Sequence, residues 1–181
     1  MRYRGYRIDV VLITLILTVA LLVGVHQAYI RLMVERPLVT ELARISGLEA
    51  VELRTIGDKY LVNLKLGKVD DLAALYRQIE DAVTSSLTPG SFVLNIADRR
   101  TSDLENLYYR VHYYIEEALV QGNFSTAAGR IHAEARAVGV EDRFWVDGDY
   151  VYLELVSGDH YLYEVRPRTF WKWGEGAATG V

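Results

Sequence analysis

The longest apolar stretch of the sequence, residues 10–25, reads VVLITLILTVALLVGV and carries no charge over sixteen residues. A helix that is apolar on every side has to be covered by lipid or by a large core. At about 1.5 Å per residue the run is roughly 24 Å long, so crossing the roughly 30 Å hydrocarbon core needs flanking residues too. The pattern predicts a transmembrane signal-anchor helix and its stem over residues 9–34.

Positive charges ahead of the apolar run predict its orientation. Arg2, Arg4 and Arg7 make residues 1–8 a short basic segment, which the positive-inside rule places in the cytoplasm. A cleaved signal peptide is the alternative, but the candidate cleavage sites at 22–24 and 26–28 each begin with a large residue. We therefore expect a single-pass protein of the cell membrane with an extracytoplasmic domain.

Composition excludes several classes of protein. The chain has no cysteine, which excludes a disulfide framework and thiolate chemistry. Its formal net charge is −4, and its basic residues form no stripe along the domain, which disfavours a nucleic-acid partner. The residues after the anchor suffice for one domain, which we place at 35–168, before an aromatic and then flexible tail at 169–181.

Hydrophobic periodicity predicts an α+β domain of mainly antiparallel strands with about four helices, in the order α-β-β-α-β-α-α-β-β-β. Pro37 suits the first turn of the first helix. Three-to-four spacing of apolar residues predicts further helices over 69–85, 102–121 and 125–138. Alternating residues between turns predict strands over 50–56, 60–66, 92–96, 143–147, 150–156 and 161–166.

Two segments of the domain share one order of elements. Residues 44–49 and 136–141 both run from a helix end through a glycine into a strand, and Gly-Asp follows in each hairpin turn, at Gly57 and Gly148. The similarity suggests two related αββ units. Turn chemistry alone also places glycine at helix ends and in hairpins, so both explanations stay open.

The sequence shows no pattern that indicates catalysis or a cofactor. His112 and Glu116 lie four apart on one predicted helix, but a zinc site needs at least three protein ligands. Asp58, Asp149 and Asp159 recur in turns without the spaced oxygen ligands of a calcium loop. The glycine-rich nucleotide motifs are missing as well. We predict a protein that is not an enzyme, with no catalytic, metal or cofactor-binding residues.

Tyrosines on the longest soluble helix form the first candidate interaction surface. Tyr108, Tyr109, Tyr113 and Tyr114 surround this helix and cannot all face one core. We expect at least Tyr109 and Tyr113 to lie on the outer side, four residues apart. Exposed paired aromatic side chains are typical anchors for a protein partner.

Tyrosines on the predicted strand 150–156 form the second candidate surface. Tyr150 and Tyr152 share the face opposite Val151, Leu153 and Leu155, and we expect the two tyrosines to point outward. Such a strip could stack on a glycan or pack on a protein. Aromatic cross-strand pairs also stabilise sheets without any ligand.

The tail supplies a third aromatic cluster, with Phe170, Trp171 and Trp173 around Lys172. Aromatic residues beside a lysine suit the membrane interface, docking on the domain itself, or a partner.

Together these patterns predict a non-enzymatic, membrane-anchored interaction or assembly domain of the bacterial cell envelope. Its expected partners are the membrane and either itself or another envelope protein, with no nucleic acid. The alternative is a sensor domain for an envelope glycan or a small molecule, which would use Tyr150 and Tyr152.

Overall fold

The computed structural model describes the backbone of residues 2–3, 6–30, 36–57 and 59–168, and the side chains of residues 10–25, 37–57 and 59–168. The chain divides into two compact units, Met1–Leu38 and Val39–Val181. Arg4 and the predicted aromatic tail, with Phe170, Trp171 and Trp173, lie outside the described residues, as do the side chains of Arg2 and Arg7.

The described residues of the first unit form two short strands and one long helix. Strands β1 (Arg2–Tyr3) and β2 (Tyr6–Arg7) pair antiparallel, and helix α1 (Ile8–Ile30) has 23 residues. Every described side chain of α1 is exposed, and its large apolar side chains keep 48–67% of their surface accessible.

The structure does not support the predicted transmembrane span. Within the described residues, no helix is long and apolar enough to cross a membrane. The described side chains of α1 number sixteen, which corresponds to about 24 Å of helix against a hydrocarbon core of roughly 30 Å.

The second unit is a mixed α+β domain with two three-stranded sheets, and its described elements confirm the predicted order. The helices are α2 (Arg36–Leu42), which begins in the first unit, α3 (Leu72–Ser86), α4 (Ser102–Gln121) and α5 (Phe124–Ala137). The strands are β3 (Leu48–Ile56), β4 (Lys59–Leu66), β5 (Phe92–Ala97), β6 (Glu141–Val146), β7 (Tyr150–Ser157) and β8 (His160–Pro167).

The first sheet has the strand order β3-β4-β5. Strands β3 and β4 form the predicted antiparallel hairpin, whose turn uses Gly57 at a φ of +63°, a backbone conformation that glycine adopts without strain. Strand β5 pairs with β4 in parallel, because the chain returns through α3. The inward face of β4 carries Val62, Leu64 and Leu66, which are all buried.

Helix α3 begins three residues later than its periodicity predicts. The side chain of Asp71 accepts a hydrogen bond from the N–H of Ala74 at 2.9 Å and so caps the helix at Leu72. The helix then buries one stripe of side chains, Leu72, Leu75, Tyr76, Ile79 and Val83.

The second sheet has the strand order β6-β7-β8, and both of its pairs are antiparallel. Six consecutive residues of β7, from Tyr150 to Leu155, are buried. Side chains alternate between the faces of a strand, so both faces of this sheet are covered. The face that carries Val151, Leu153 and Leu155 shares one apolar core with the buried sides of α4 and α5.

Local capping explains why α4 has the predicted bounds. The Thr101 hydroxyl accepts from the N–H of Leu104 at 3.3 Å, and Gly122 ends the helix in the left-handed conformation at a φ of +73°. Helix α5 begins one residue before the predicted start and ends at Ala137.

The two predicted αββ units agree in their hairpins and differ in their third strands. The β3–β4 and β6–β7 hairpins are both antiparallel and each follows a helix. Strand β5 then joins in parallel, whereas β8 joins β7 through the tight turn after Ser157. The suggested duplication therefore stays a prediction.

Candidate functional site

The outer side of α4 exposes two large aromatic side chains, as the sequence predicts. Tyr109 is 62% exposed and Tyr113 is 68% exposed. They lie opposite the stripe that α4 buries, which comprises Leu104, Leu107, Val111, Ile115 and Ala118. The periodicity of the helix thus commits one side of α4 to the core and leaves the two tyrosines accessible.

His112 lies between the two exposed tyrosines and links them. Its ring centroid is 3.9 Å from that of Tyr113 and 6.3 Å from that of Tyr109. Its Nδ1 lies 2.7 Å from the carbonyl oxygen of Tyr109, and donation to that oxygen requires the proton on Nδ1. We call Tyr109, His112 and Tyr113 the aromatic surface of α4.

The flanks of this surface carry ion pairs between α4 and α5. Arg110 lies 3.5 Å from Glu134, and Glu117 lies 3.1 Å from Arg130. One turn beyond Glu117 the surface continues to Val120, which is 74% exposed. The exposed aromatic groups are therefore bordered by charges that are already paired.

His112 and Glu116 do not form part of a larger metal-binding group in the described part of the chain. That part holds no group of three or more His, Cys, Asp or Glu side chains placed to bind a metal ion. Glu116 instead approaches Arg166, with 3.9 Å between its Oε1 and the arginine Nε.

The predicted outward strip on β7 is wrong, because Tyr150 and Tyr152 are buried. Tyr150 is 8% exposed and Tyr152 only 1%. Helix α3 places Tyr76 against them, with ring centroids 5.1 Å from Tyr150 and 6.0 Å from Tyr152 in edge-on geometry. The sequence prediction assumed that one face of this sheet is exposed to solvent, whereas both faces are covered. Tyr150 and Tyr152 therefore offer no surface to a glycan or a protein.

Arg77 of α3 joins the buried tyrosines to the turn between β6 and β7. Its Nη2 lies 2.8 Å from Asp147 Oδ2 and 3.0 Å from Asp149 Oδ2, and its Nη1 lies 3.2 Å from Glu80 Oε2. The guanidinium carbon also lies 5.0 Å from the ring centroid of Tyr150. One side chain therefore holds α3 to a turn 70 residues away in sequence.

The phenol hydroxyls complete this network. Tyr152 donates to Asp147 Oδ2 at 2.8 Å, and Tyr150 donates to Glu80. Burial raises the pKa of both phenols above its ordinary value, and the neighbouring carboxylate of each raises it further. These hydroxyls therefore stay protonated at neutral pH and donate to the carboxylates. Together with the ion pairs of Arg77, these hydrogen bonds hold α3 on the sheet.

Asp147 has the pKa with the clearest consequence for stability. Burial alone would raise it, but the N–H groups of Tyr150 and Asp149, the Tyr152 hydroxyl and Arg77 outweigh burial and lower the pKa to about 2. The unfolded value is about 3.9, so this carboxylate stabilises the fold above about pH 4. The contribution is lost as the pH falls from about 4 towards 2.

We therefore expect Asp147→Asn to lower the free energy of unfolding on the order of 1 kcal/mol at pH 7, since its side chain is partly solvated. The difference from the parent should shrink below about pH 4, where the parent loses the same charge. Urea titrations between pH 2 and pH 7 measure it, with Asp159→Asn at an exposed turn as control. A difference that is constant with pH would contradict the assignment.

A second arrangement that the sequence did not predict lies in a cleft of about 500 Å³ beside β6. His132 Nδ1 lies 2.9 Å from Asp142 Oδ1, and the buried Glu154 accepts the N–H of Leu72 at 2.8 Å. Burial raises the pKa of Glu154. Among the described residues, those that line the cleft include no serine, threonine, cysteine or tyrosine, so none of them places a hydroxyl or thiol nucleophile beside this pair.

No protein-family model, no curated protein and no solved structure matches this chain. What it does must therefore be inferred from its own residues.

Proposed function

We propose that this chain is a non-enzymatic, membrane-anchored domain that assembles with a second copy of itself outside the cytoplasmic membrane of a bacterium. The aromatic surface of α4 carries the proposal, because two tyrosines more than 60% exposed lie there with the ring of His112 in contact with that of Tyr113. Helix α1 supplies the anchor.

The surface of α1 favours a lipid environment. Its described side chains are apolar except for Thr14 and Thr18, and all of them are exposed. Thr14 donates to the carbonyl of Val10 and Thr18 to that of Thr14, each at 2.8 Å. The helix thus satisfies its own hydroxyl groups, as a helix in lipid must.

Membrane orientation follows from charge. The arginines at 2, 4 and 7 precede the apolar run, and the positive-inside rule holds such segments in the cytoplasm. The domain that follows would then lie outside, where a chain without cysteine needs no redox control.

The aromatic surface of α4 has the properties of an interface centre. Tyrosine offers a large contact area for the loss of few side-chain torsions, and tyrosine is enriched among residues that dominate binding energy. Tyr109 and Tyr113 project from a regular helix, and the ring of His112 lies beside both of theirs. The helix already fixes their backbone, so only side-chain torsions remain to be ordered on binding.

A second copy is the partner that the spacing on α4 favours. A twofold axis near Val111 that relates two antiparallel α4 helices places Tyr109 against Tyr113 of the partner subunit. The same axis places the exposed Asn106 against Glu116 of the partner subunit, as donor and acceptor. Anchoring both copies in one membrane raises their effective concentration and favours such a contact.

Single introduced cysteines test the proposal, because the chain has none of its own. We expect Arg110→Cys, at an exposed position beside the aromatic surface, to give a dimer in cell membranes with a short bismaleimide and to stay in the membrane pellet after extraction with alkaline carbonate. Ser85→Cys, exposed on α3, is the matched control and should give little dimer. A membrane-impermeant maleimide should label Ser85→Cys in intact cells.

Each part of the proposal has its own contrary result. Equal dimer yields from positions 110 and 85 would exclude α4 as the interface. Release of the chain from the membrane by carbonate would contradict the proposed anchor. Labelling of position 85 only after lysis would contradict the proposed orientation and place the domain in the cytoplasm.

A further inference from the structure

The two sheets of the second unit meet at a seam between their edge strands β5 and β8. Each of these strands pairs with one neighbour in its own sheet. At one end of the seam Arg99 and Tyr161 form an antiparallel bridge, in which the N–H of Tyr161 donates to the Arg99 carbonyl at 3.2 Å. The strands therefore face each other edge to edge, antiparallel, and are closed at that end.

Beyond this bridge the seam opens into a groove. The N–H of Tyr163 donates to Asp98 Oδ2 at 2.9 Å, so a side chain takes the place of a strand partner. Farther on lies a groove of about 450 Å³, whose walls include residues 94–97 of β5 and 163–165 of β8. The open end lies towards Pro167, where β8 ends.

Backbone donors point into this groove. The N–H of Tyr60 donates to the Ser91 carbonyl at 2.7 Å, so the backbone groups of every second residue, counted from Ser91, bond to β4. The backbone N–H and C=O groups of Leu94 and Ile96 therefore point away from β4, towards the groove. On β8 the outward N–H groups of Tyr161 and Tyr163 imply the same for Val165. Such rows of donors and acceptors are the template for an added strand.

The groove also holds a buried carboxylate with one oxygen that accepts no hydrogen bond among the described residues. Glu164 is 7% exposed, and its Oε2 has no hydrogen-bond partner among the described residues. Arg166 approaches it only to 3.9 Å. The other buried carboxylate, Asp98, is already bound by Arg100 through two contacts of 2.8 Å.

These features define the ligand by its chemistry. Desolvation raises the pKa of the Glu164 carboxyl and outweighs the nearby charges of Arg166 and Arg100, which lower it. Glu105 adds a second acidic group to the lining. An extended backbone with a lysine or arginine side chain would satisfy the strand edges and Glu164 together.

We propose that this seam binds an extended peptide strand with a lysine side chain and that its occupant is residues 169–181 of this chain. The segment follows β8 directly at the open end of the groove. Its thirteen residues extend to roughly 43 Å, far more than the few residues of open edge require. Lys172 is its one basic residue, and on a strand it would face opposite to Trp171 and Trp173.

Cross-linking of the full chain in lipid nanodiscs tests the proposal. Ala97→Cys, exposed in the groove wall, is paired with Trp173→Cys, and Ser85→Cys with Trp173→Cys is the control. We expect the first pair to give an intramolecular product with a short bismaleimide at a yield severalfold above the control. Lys172→Glu should lower that yield severalfold, and adding Glu164→Lys should restore it.

Three results would overturn the proposal. These are a yield equal to that of the control, a yield unchanged by Lys172→Glu, or an intermolecular product, which would make the tail of a second copy the occupant. Because Lys172 lies in the tail, its substitution tests the contact even if Glu164→Lys fails to fold. The intramolecular yield does not depend on assembly through α4, so this proposal and the proposed function fail separately.

Discussion

Replacing Tyr152 by alanine should lower the free energy of unfolding by about 3–5 kcal/mol, the range for truncating a buried aromatic side chain. Tyr152 is 1% exposed, contacts the ring of Tyr76, and donates to Asp147 at 2.8 Å. Domains of this kind are stable by only about 5–15 kcal/mol, so the variant would lie near the limit of folding. Urea unfolding of the full chain in detergent, followed by tryptophan fluorescence, measures the loss.

Two variants separate the parts of this effect. Tyr152→Phe keeps the ring and should cost only about 0.5–1.5 kcal/mol for the lost hydrogen bond. Tyr109→Ala, on the exposed side of α4, should stay within about 0.5 kcal/mol of the parent. A Tyr152→Ala protein as stable as the parent would contradict the burial of this tyrosine. The tyrosine face of β7 would then again be a candidate interaction surface.

Replacing Tyr109 and Tyr113 together by alanine should weaken self-association by roughly 100-fold or more, because each dominant interface residue contributes about 2 kcal/mol or more. Both side chains are more than 60% exposed, so the folded domain loses little when they are shortened. Energy transfer between copies labelled at Ser85→Cys, reconstituted in lipid vesicles at several protein-to-lipid ratios, measures the association.

Ile56→Ala is the matched control for this experiment. Ile56 is 62% exposed, like Tyr109, but lies at the β3–β4 turn. We expect its energy transfer to equal that of the parent. If the double tyrosine variant also equalled the parent, α4 would not be the interface, whatever the oligomeric state.

The elements that could be predicted from the sequence are those set by local chemistry. Thr101 caps α4 and Gly122 ends it, and both act on the backbone within one turn of their own position. The same holds for the β3–β4 hairpin at Gly57. These local signals, read in order, were enough to predict the sequence of elements in the second unit.

The features that could not be predicted depend on contacts between distant segments. The alternation in β7 separates Tyr150 and Tyr152 from Val151, but does not reveal that α3 covers the tyrosine face. Arg77 and Asp147 form an ion pair although they are 70 residues apart in the sequence. No local sequence pattern around either residue predicts this contact. The parallel pairing of β5 likewise follows from the path of the chain through α3.

The candidate site was predictable for a simple geometric reason. Four tyrosines on one helix exceed what a single buried stripe can hold, so Tyr109 and Tyr113 had to lie outside. The contacts of His112 with both rings, and the seam between β5 and β8, emerge only from the three-dimensional arrangement.

The mass of the unmodified full chain in detergent, measured by light scattering over a concentration series and corrected for bound detergent, tests the central claim most directly. Assembly with a second copy predicts a mass that rises with concentration to twice the chain mass of 20.6 kDa. A monomer at every concentration would contradict self-assembly through α4 and leave a different protein as its partner.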